Sequence, residues 1–315
     1  MKATVIGCGV IGLSSGIRLL QNGFEVHIVA KELPPNTTSN WAAAVWYPYK
    51  AYPEDKVLGW GAATFKTFQA LVDRPGVGVS NRILLEPFDH AVDDPWWKEA
   101  VTEFRRATAE ELPEGYEDGY VVTVPVIDTR IYMDYLVEQF QQLGGTIEQR
   151  EVHDLAEVSE PNGLIVNCAG LGSRELVNDP DVYPIRGQII RVKAPEVSRS
   201  FVDEFGQHKL TYVIPRTEDV ILGGTALENV WDTEPDEETA AKILHHTKMV
   251  EPKLEGAEIL QHGVGLRPGR PQVRLEAEKL DDGCTVIHNY GHGGAGFTLA
   301  WGCADEVLQL AQQIV

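Results

Sequence analysis

Ala3-Thr-Val-Ile-Gly7-Cys8-Gly9-Val10-Ile11-Gly12-Leu-Ser-Ser-Gly16 is an apolar strand that runs into a G-x-G-x-x-G turn and on into a helical pattern. Such a start holds a dinucleotide by its main chain. Gly7 permits the tight turn, Gly9 lets the backbone approach a pyrophosphate, and Gly12 lets the helix lie close on the strand. Cys8, Val10 and Ile11 belong to the same turn, where the first N–H groups of the helix face the phosphates. A second strand, Glu25-Val-His-Ile-Val-Ala30, follows with Gly23 at the helix C-cap, so the unit is strand, helix, strand. An acidic residue after that second strand takes the ribose hydroxyls in such units. Glu32, twenty positions beyond Gly12, is the candidate, next to Lys31; the alternative is a solvated loop carboxylate.

Outward from this unit, 315 residues exceed a comfortable single core, and two domains are expected. Hydrophobic residues make up 43% and charged ones 23%, without low-complexity tracts or a fixed repeat, as in an ordinary globular chain. The formal charge of −20 repels polyanions and argues against a nucleic-acid partner. No apolar stretch approaches the ~18 residues of a membrane span, and Met1 runs straight into the nucleotide strand, so the expectation is a cytoplasmic protein with no membrane partner. Cys8, Cys168, Cys284 and Cys303 are widely spaced, which predicts buried reduced thiols and neither a metal site nor a disulfide.

After the first unit comes a loop, Pro34-Pro-Asn-Thr37-Thr38-Ser39-Asn40, and then Ala42-Ala-Ala-Val45-Trp46-Tyr47-Pro48-Tyr49. The hydroxyls of Thr37, Thr38 and Ser39 suit phosphate oxygens and the alanines suit close passage of a flat ring; helix capping by Ser39 or Asn40 is the alternative. Helical spacing over 56–71 opens a tryptophan-rich insertion that ends near Pro125. The periodicity then predicts a helix over 128–143, closed by Gly144-Gly145, and strands near 146–149 and 164–168 that resume the parallel sheet. Ala169-Gly-Leu-Gly-Ser173 reads as a second strand-to-helix turn at the ligand-binding edge. Closely spaced strands at 187–192, 210–214 and 219–222 predict antiparallel pairing. A helix over 237–249, a passage through Gly263-Val-Gly-Leu-Arg267-Pro-Gly-Arg270-Pro, a strand at 285–288 and a last helix opening at Phe297 complete the chain.

These segments, in this order, resemble the D-amino acid oxidase family of FAD enzymes, which includes D-aspartate oxidase. The resemblance runs from end to end. It is carried by Val5 to Ser14, the Thr37-Thr38-Ser39 loop with Trp46-Tyr-Pro48-Tyr49, Ile165-Val-Asn-Cys-Ala-Gly170, Arg186-Gly187-Gln188, Thr211-Tyr-Val-Ile-Pro215, and above all Leu266-Arg-Pro-Gly-Arg-Pro271 and His288-Asn-Tyr-Gly-His-Gly-Gly294. The implied fold is α/β: a Rossmann-like FAD-binding domain with a βαβ N-terminus, and an α+β substrate domain with a largely antiparallel sheet. The expected division is 1–50, 126–182 and 255–315 for the discontinuous FAD-binding domain, and 51–125 with 183–254 for the substrate domain.

The resemblance implies oxidative deamination: the α-hydrogen of a D-amino acid passes as hydride to FAD, the imino acid hydrolyses to a 2-oxo acid and ammonia, and molecular oxygen becomes hydrogen peroxide. Positioning carries most of the rate in such a reaction. The family's substrate arginine falls on Arg267, whose planar fork suits a carboxylate. Its tyrosine partner falls on Tyr212, which alternation places on one strand face with Leu210 and Ile214. The carbonyl of Gly294 would accept from the substrate amine. Gly293, Gly294, Gly296, Phe297 and Thr298 match the loop and helix start beneath the flavin, and Val152 joins the expected cofactor contacts, as do Lys31 and Glu32.

Three departures stand out. His208 replaces a lid tyrosine four places before Tyr212, Lys31-Glu32 replaces an Asp-Arg pair, and the chain ends Gln312-Gln-Ile-Val315 without a peroxisomal signal. His208 and Lys209 keep an acidic D-amino acid open as substrate, while Tyr212, Ile214 and Ala295 favour a neutral one. An NAD(P)-dependent dehydrogenase and a non-catalytic nucleotide-binding module are the readings outside the family. Homodimers occur in the family, but no interface pattern is legible in this chain.

Overall fold

The strand that opens the sequence, Lys2–Ile6, lies inside a six-stranded sheet in the computed structural model, which describes residues 1–48, 51–204 and 210–314. Across this sheet the order is Arg274–Lys279, Thr285–Tyr290, Leu164–Asn167, Lys2–Ile6, Glu25–Ala30, Thr146–Gln149. All neighbours are parallel except the outermost strand, Arg274–Lys279. Parallel strands are covered on both faces, which demands continuous apolar runs. Every residue of Leu164–Asn167 and of Thr285–Tyr290 is accordingly buried.

The helices Val10–Gln21 and Gly296–Gln312 pack on each other. The Ser14 hydroxyl donates to the Ala300 carbonyl at 3.2 Å, and Arg18 pairs with Asp305 at 2.6 Å while lying over the Trp301 ring. Gly16 leaves room for the Phe140 ring from helix Thr129–Gln142, so the first helix is wedged between two others. Both ends of the chain therefore build one layer, and the last helix opens beside the first turn.

A second sheet of nine strands is antiparallel apart from the pairing of Val79–Phe88 with Ser200–Asp203. Strand alternation gives it two distinct faces. Val213, Leu222, Ile190 and Val192 pack with Ala240 and Ile243 of helix Glu237–Val250. On the strand Thr211–Pro215 the alternate residues Tyr212 and Ile214 point the other way, toward a chamber shared with the first sheet.

The parallel order and the antiparallel pairing agree with the sequence reading. Two regions differ from it. The tryptophan-rich insertion contains long strands, Val79–Phe88 and Asp118–Ile127, paired over their whole length. The segment Glu258–Gly269, read as a passage back to the cofactor part, pairs with Tyr183–Lys193 and so hydrogen-bonds into the second sheet. Its glycines and proline mask the strand period, and packing explains them: Trp41 lies on Gly263 and Gly265, and Tyr183 with Ile185 lies on Gly269.

Candidate active site

The two sheets enclose a chamber of about 580 Å³. Its walls come from the turn after the first strand, the end of the second, the Asn36–Ser39 loop, the Ala169–Gly172 turn, the inner face of the antiparallel sheet and the loop before the last helix. Every site residue expected from the sequence lines this chamber except Gly12 and Thr298.

Those two act one step back. Gly12 faces the Gly7 carbonyl so closely that a Cβ would overlap it, which lets the helix start lie against the turn. Gly7 adopts φ +111°, a conformation favouring glycine, and a side chain there would strike the Cys168 carbonyl. Thr298 clasps Tyr47: its hydroxyl accepts from the Tyr47 N–H at 3.1 Å and donates to the Tyr47 carbonyl at 2.8 Å. The last helix thereby holds the segment that carries Tyr47 into the chamber wall.

The hydroxyl loop is divided in its work. Ser39 Oγ accepts from the Val10 N–H at 3.0 Å, and the Thr37 hydroxyl donates to Asn40 Oδ1 at 2.7 Å. The turn Thr38–Trp41 has no side-chain cap of its own; Ser39 instead satisfies an N–H at the start of the first helix while the loop lines the chamber. Near the second strand's end, Lys31 pairs with Glu151 at 2.8 Å, beside Glu32 and Val152. His27, Thr146 and Glu148 are neighbours on the outer strands there.

At the antiparallel sheet, Tyr212, Ile214 and Leu210 share one face, as alternation requires. Arg267 stands on Glu258–Gly269 and its Nη1 donates to the Thr225 carbonyl at 3.0 Å. Among the described residues no carboxylate pairs with its guanidinium. The fork therefore meets the chamber with donors to spare. Gly293, at φ +53°, and Gly294 precede Gly296 and Phe297, which open the 17-residue last helix at the chamber wall. The positive end of that helix favours negative charge. His208 and Lys209 lie outside the described residues.

Several lining residues were not among the expected site residues. Tyr47 is the clearest: its hydroxyl donates to Glu86 Oε1 at 2.6 Å, and Glu86 is 2% exposed. Burial pushes the Glu86 carboxyl up to about 8, despite the hydrogen bond from Tyr47. His292 also lines the chamber, and burial pushes its imidazole down to about 3, so it is neutral. Glu86 lies far from the chamber residues in sequence, and only the strand pairing brings it to Tyr47.

A model of the FAD-dependent oxidoreductase family matches residues 2–310. The D-amino-acid oxidase of Rubrobacter xylanophilus is 51% identical over 311 residues, covering 98% of this chain and 95% of the relative. That of Dictyostelium discoideum is 46% identical, covering 98% and 91%. Among solved structures, glycine oxidase from Bacillus cereus superposes with a TM-score of 0.82 over 99% of this chain and 95% of its own, at 18% identity, a likeness of fold. The chamber fits the family's cofactor: side chains at Gly7 and Gly12 would collide with main chain, and the Gly7–Ile11 turn and the Gly293–Phe297 segment line one cavity. The family model, the two relatives and this glycine-lined cavity agree, and the chain belongs to the D-amino-acid oxidase family of FAD-dependent oxidoreductases.

Proposed function

We propose that this chain oxidises neutral D-amino acids, with Arg267 and Tyr212 holding the substrate carboxylate and the Gly294 carbonyl accepting from its amine. The observation that carries this reading is that Arg267, Tyr212 and Gly294 line the same chamber as the Gly7–Ile11 turn. FAD, when bound, supplies the acceptor for the α-hydrogen as hydride and passes the electron pair to oxygen, which leaves as hydrogen peroxide while the imino acid hydrolyses to a 2-oxo acid and ammonia.

The protein's own part is to bind, orient and exclude water. The Gly7–Ile11 turn, with Thr38 and Ser39 beside it, would hold the phosphates of FAD, and Lys31, Glu32 and Val152 would hold its ribose. Gly293, Gly296 and Phe297 would border its ring. Arg267 presents a planar fork whose Nη1 already donates to the Thr225 carbonyl, which leaves the Nε and Nη2 donors for a carboxylate. Two fixed contacts on the carboxylate and one on the amine leave the α-hydrogen aimed at a single face, and this selects one enantiomer. Val202, Leu210 and Ile214 give the chamber apolar walls, where hydrogen bonds to charge are stronger than in water. The N-terminus of helix Gly296–Gln312 favours the negative charge that develops during reduction. The division into cofactor and substrate segments belongs to the same proposal, with Glu258–Gly269 on the substrate side because it hydrogen-bonds there.

The neutral preference rests on charge. The lysine and arginines among the described lining residues are Lys31, Arg150 and Arg267. Lys31 is tied to Glu151, and Arg150 to Glu148 and Glu157. Glu204 adds a carboxyl to the wall that carries Val202. Arg267 is thus the lining arginine that has no carboxylate partner among the described residues, and a second substrate carboxylate meets no further such group there. Peroxide release with D-valine, D-leucine, D-alanine and D-aspartate tests this. Higher kcat/KM for the neutral substrates is expected; a preference above tenfold for D-aspartate would overturn it.

A further inference from the structure

We infer that Gly187, with the Gly223–Gly224 pair, is a positioning element of the carboxylate clamp: these residues are bare so that the Arg267 guanidinium and the Tyr212 phenol can lie flat on the sheet at the depth where both reach one carboxylate. The inference rests on the clamp reading above and adds what sets its geometry.

The register explains the arrangement. Gly187 lies opposite Gly265 and Ile185 lies opposite Arg267 on the paired strands, so the guanidinium reaches diagonally back over Gly187. A Cβ on Gly187 would stand 2.5 Å from Arg267 Cζ and from Nη2, far inside contact distance. On the next strand pair Tyr212 is opposite Gly223. A Cβ on Gly223 would overlap the phenol ring, and one on Gly224 would lie 2.6 Å from Cε1 and 2.7 Å from the hydroxyl oxygen. The next residue, Thr225, gives its carbonyl to Arg267 Nη1, while its Oγ1 accepts from the Gln188 N–H at 2.9 Å. One short segment thus seats both halves of the clamp and ties them to the strand that carries Gly187.

Gly187 is the position where this inference is most open to test. Its backbone is not in the left-handed region, so alanine suits it conformationally, and the atoms in the way are the far end of a flexible side chain. The protein can fold around Gly187→Ala with only the guanidinium displaced. Misplacement of a substrate-orienting group by an ångström costs as much as ~100-fold in rate.

The test compares wild type, Gly187→Ala, Arg267→Leu and the double variant as holoenzymes. It measures FAD content, KM and kcat for D-valine, and the Kd of its 2-oxo acid from perturbation of the flavin spectrum. The expected result for Gly187→Ala is full FAD content with KM and Kd raised about tenfold or more. In the Arg267→Leu background the same alanine should add less than about twofold, because the group it displaces is gone. Wild-type KM and Kd in Gly187→Ala, or an equal loss in both backgrounds, would overturn the inference. Should that variant not fold, Gly224→Ala replaces it, with Tyr212→Phe and Tyr212→Leu as backgrounds; a loss in Gly224→Ala that persists undiminished in Tyr212→Leu counts against the inference. Unchanged KM and Kd in Arg267→Leu would instead defeat the clamp reading itself.

Discussion

Arg267 is the residue on which the substrate reading turns, and its chemistry makes the reading testable in isolation. Its guanidinium meets a carbonyl and a bare strand, with no carboxylate partner among the described residues, so a substrate carboxylate would complete it. Removing one member of a buried charge pair costs about 2–5 kcal/mol, so Arg267→Leu should raise KM for D-valine at least about thirtyfold with FAD content unchanged. Steady-state kinetics on the FAD-loaded variant checks this, and a rise of tenfold or less contradicts it. Glu86 makes a second prediction at this scale. Its carboxyl is held neutral by burial, from an ordinary value near 4.5 up to about 8. Between those values the folded protein keeps a proton that the unfolded chain releases, so stability is fullest below about pH 4.5, falls as pH rises, and levels off above about 8. Glu86→Gln lacks this titration. The variant should therefore gain on wild type from pH 5 to pH 8, by on the order of a few kcal/mol, with no further change by pH 9. Urea midpoints of the two proteins across this range check the sign; a constant difference contradicts it.

At the scale of elements, the last helix does more than present a dipole. Through Thr298 it holds both main-chain groups of Tyr47, and through Ser14, Arg18 and Asp305 it is fixed to the first helix. Thr298→Val removes two hydrogen bonds at about 1 kcal/mol each and leaves buried groups unpaired, so it should lower thermal stability and loosen FAD, whereas Thr298→Ser retains both. Melting temperature and flavin retention on gel filtration distinguish the two variants. How much was legible follows the same physics. The βαβ start, the helices Thr129–Gln142 and Glu237–Val250, and the strands of the parallel sheet carry clean periodicity or caps, and they stand where the sequence puts them. Val79–Phe88 has the polar run Ser80-Asn-Arg82 near its start and includes Pro87, and Glu258–Gly269 is broken by glycines that receive the Trp41 and Tyr183 rings, so neither reads as a strand. Most of the site was legible because glycine turns and the Arg267-Pro-Gly segment are local signals. Tyr47 with Glu86, and the bare seat beneath Arg267, depend on strand register, which a single sequence does not display. Thr298, expected at the cofactor, is not a lining residue, and its hydroxyl holds the Tyr47 main chain in the chamber wall.

For the molecule as a whole, the two sheets divide the labour of recognition. The parallel sheet contributes glycine turns to the chamber, which in the proposed function receive the pyrophosphate, and the antiparallel sheet contributes the face on which Arg267 and Tyr212 stand. No helix among the described residues is long and apolar enough to cross a membrane. The chain's charge of −20 makes the surface a poor host for anions, and this sharpens the significance of Arg267, a lining arginine with no carboxylate partner among the described residues. The central claim is that one chamber brings bound FAD and a clamped D-amino acid together. It is tested most directly by the visible absorbance of the FAD-loaded protein after anaerobic addition of substrate. The flavin bands should bleach with D-valine and persist with L-valine, and with Arg267→Leu bleaching should require far higher D-valine concentrations. Tightly bound flavin whose colour is unchanged by every D-amino acid would contradict the account.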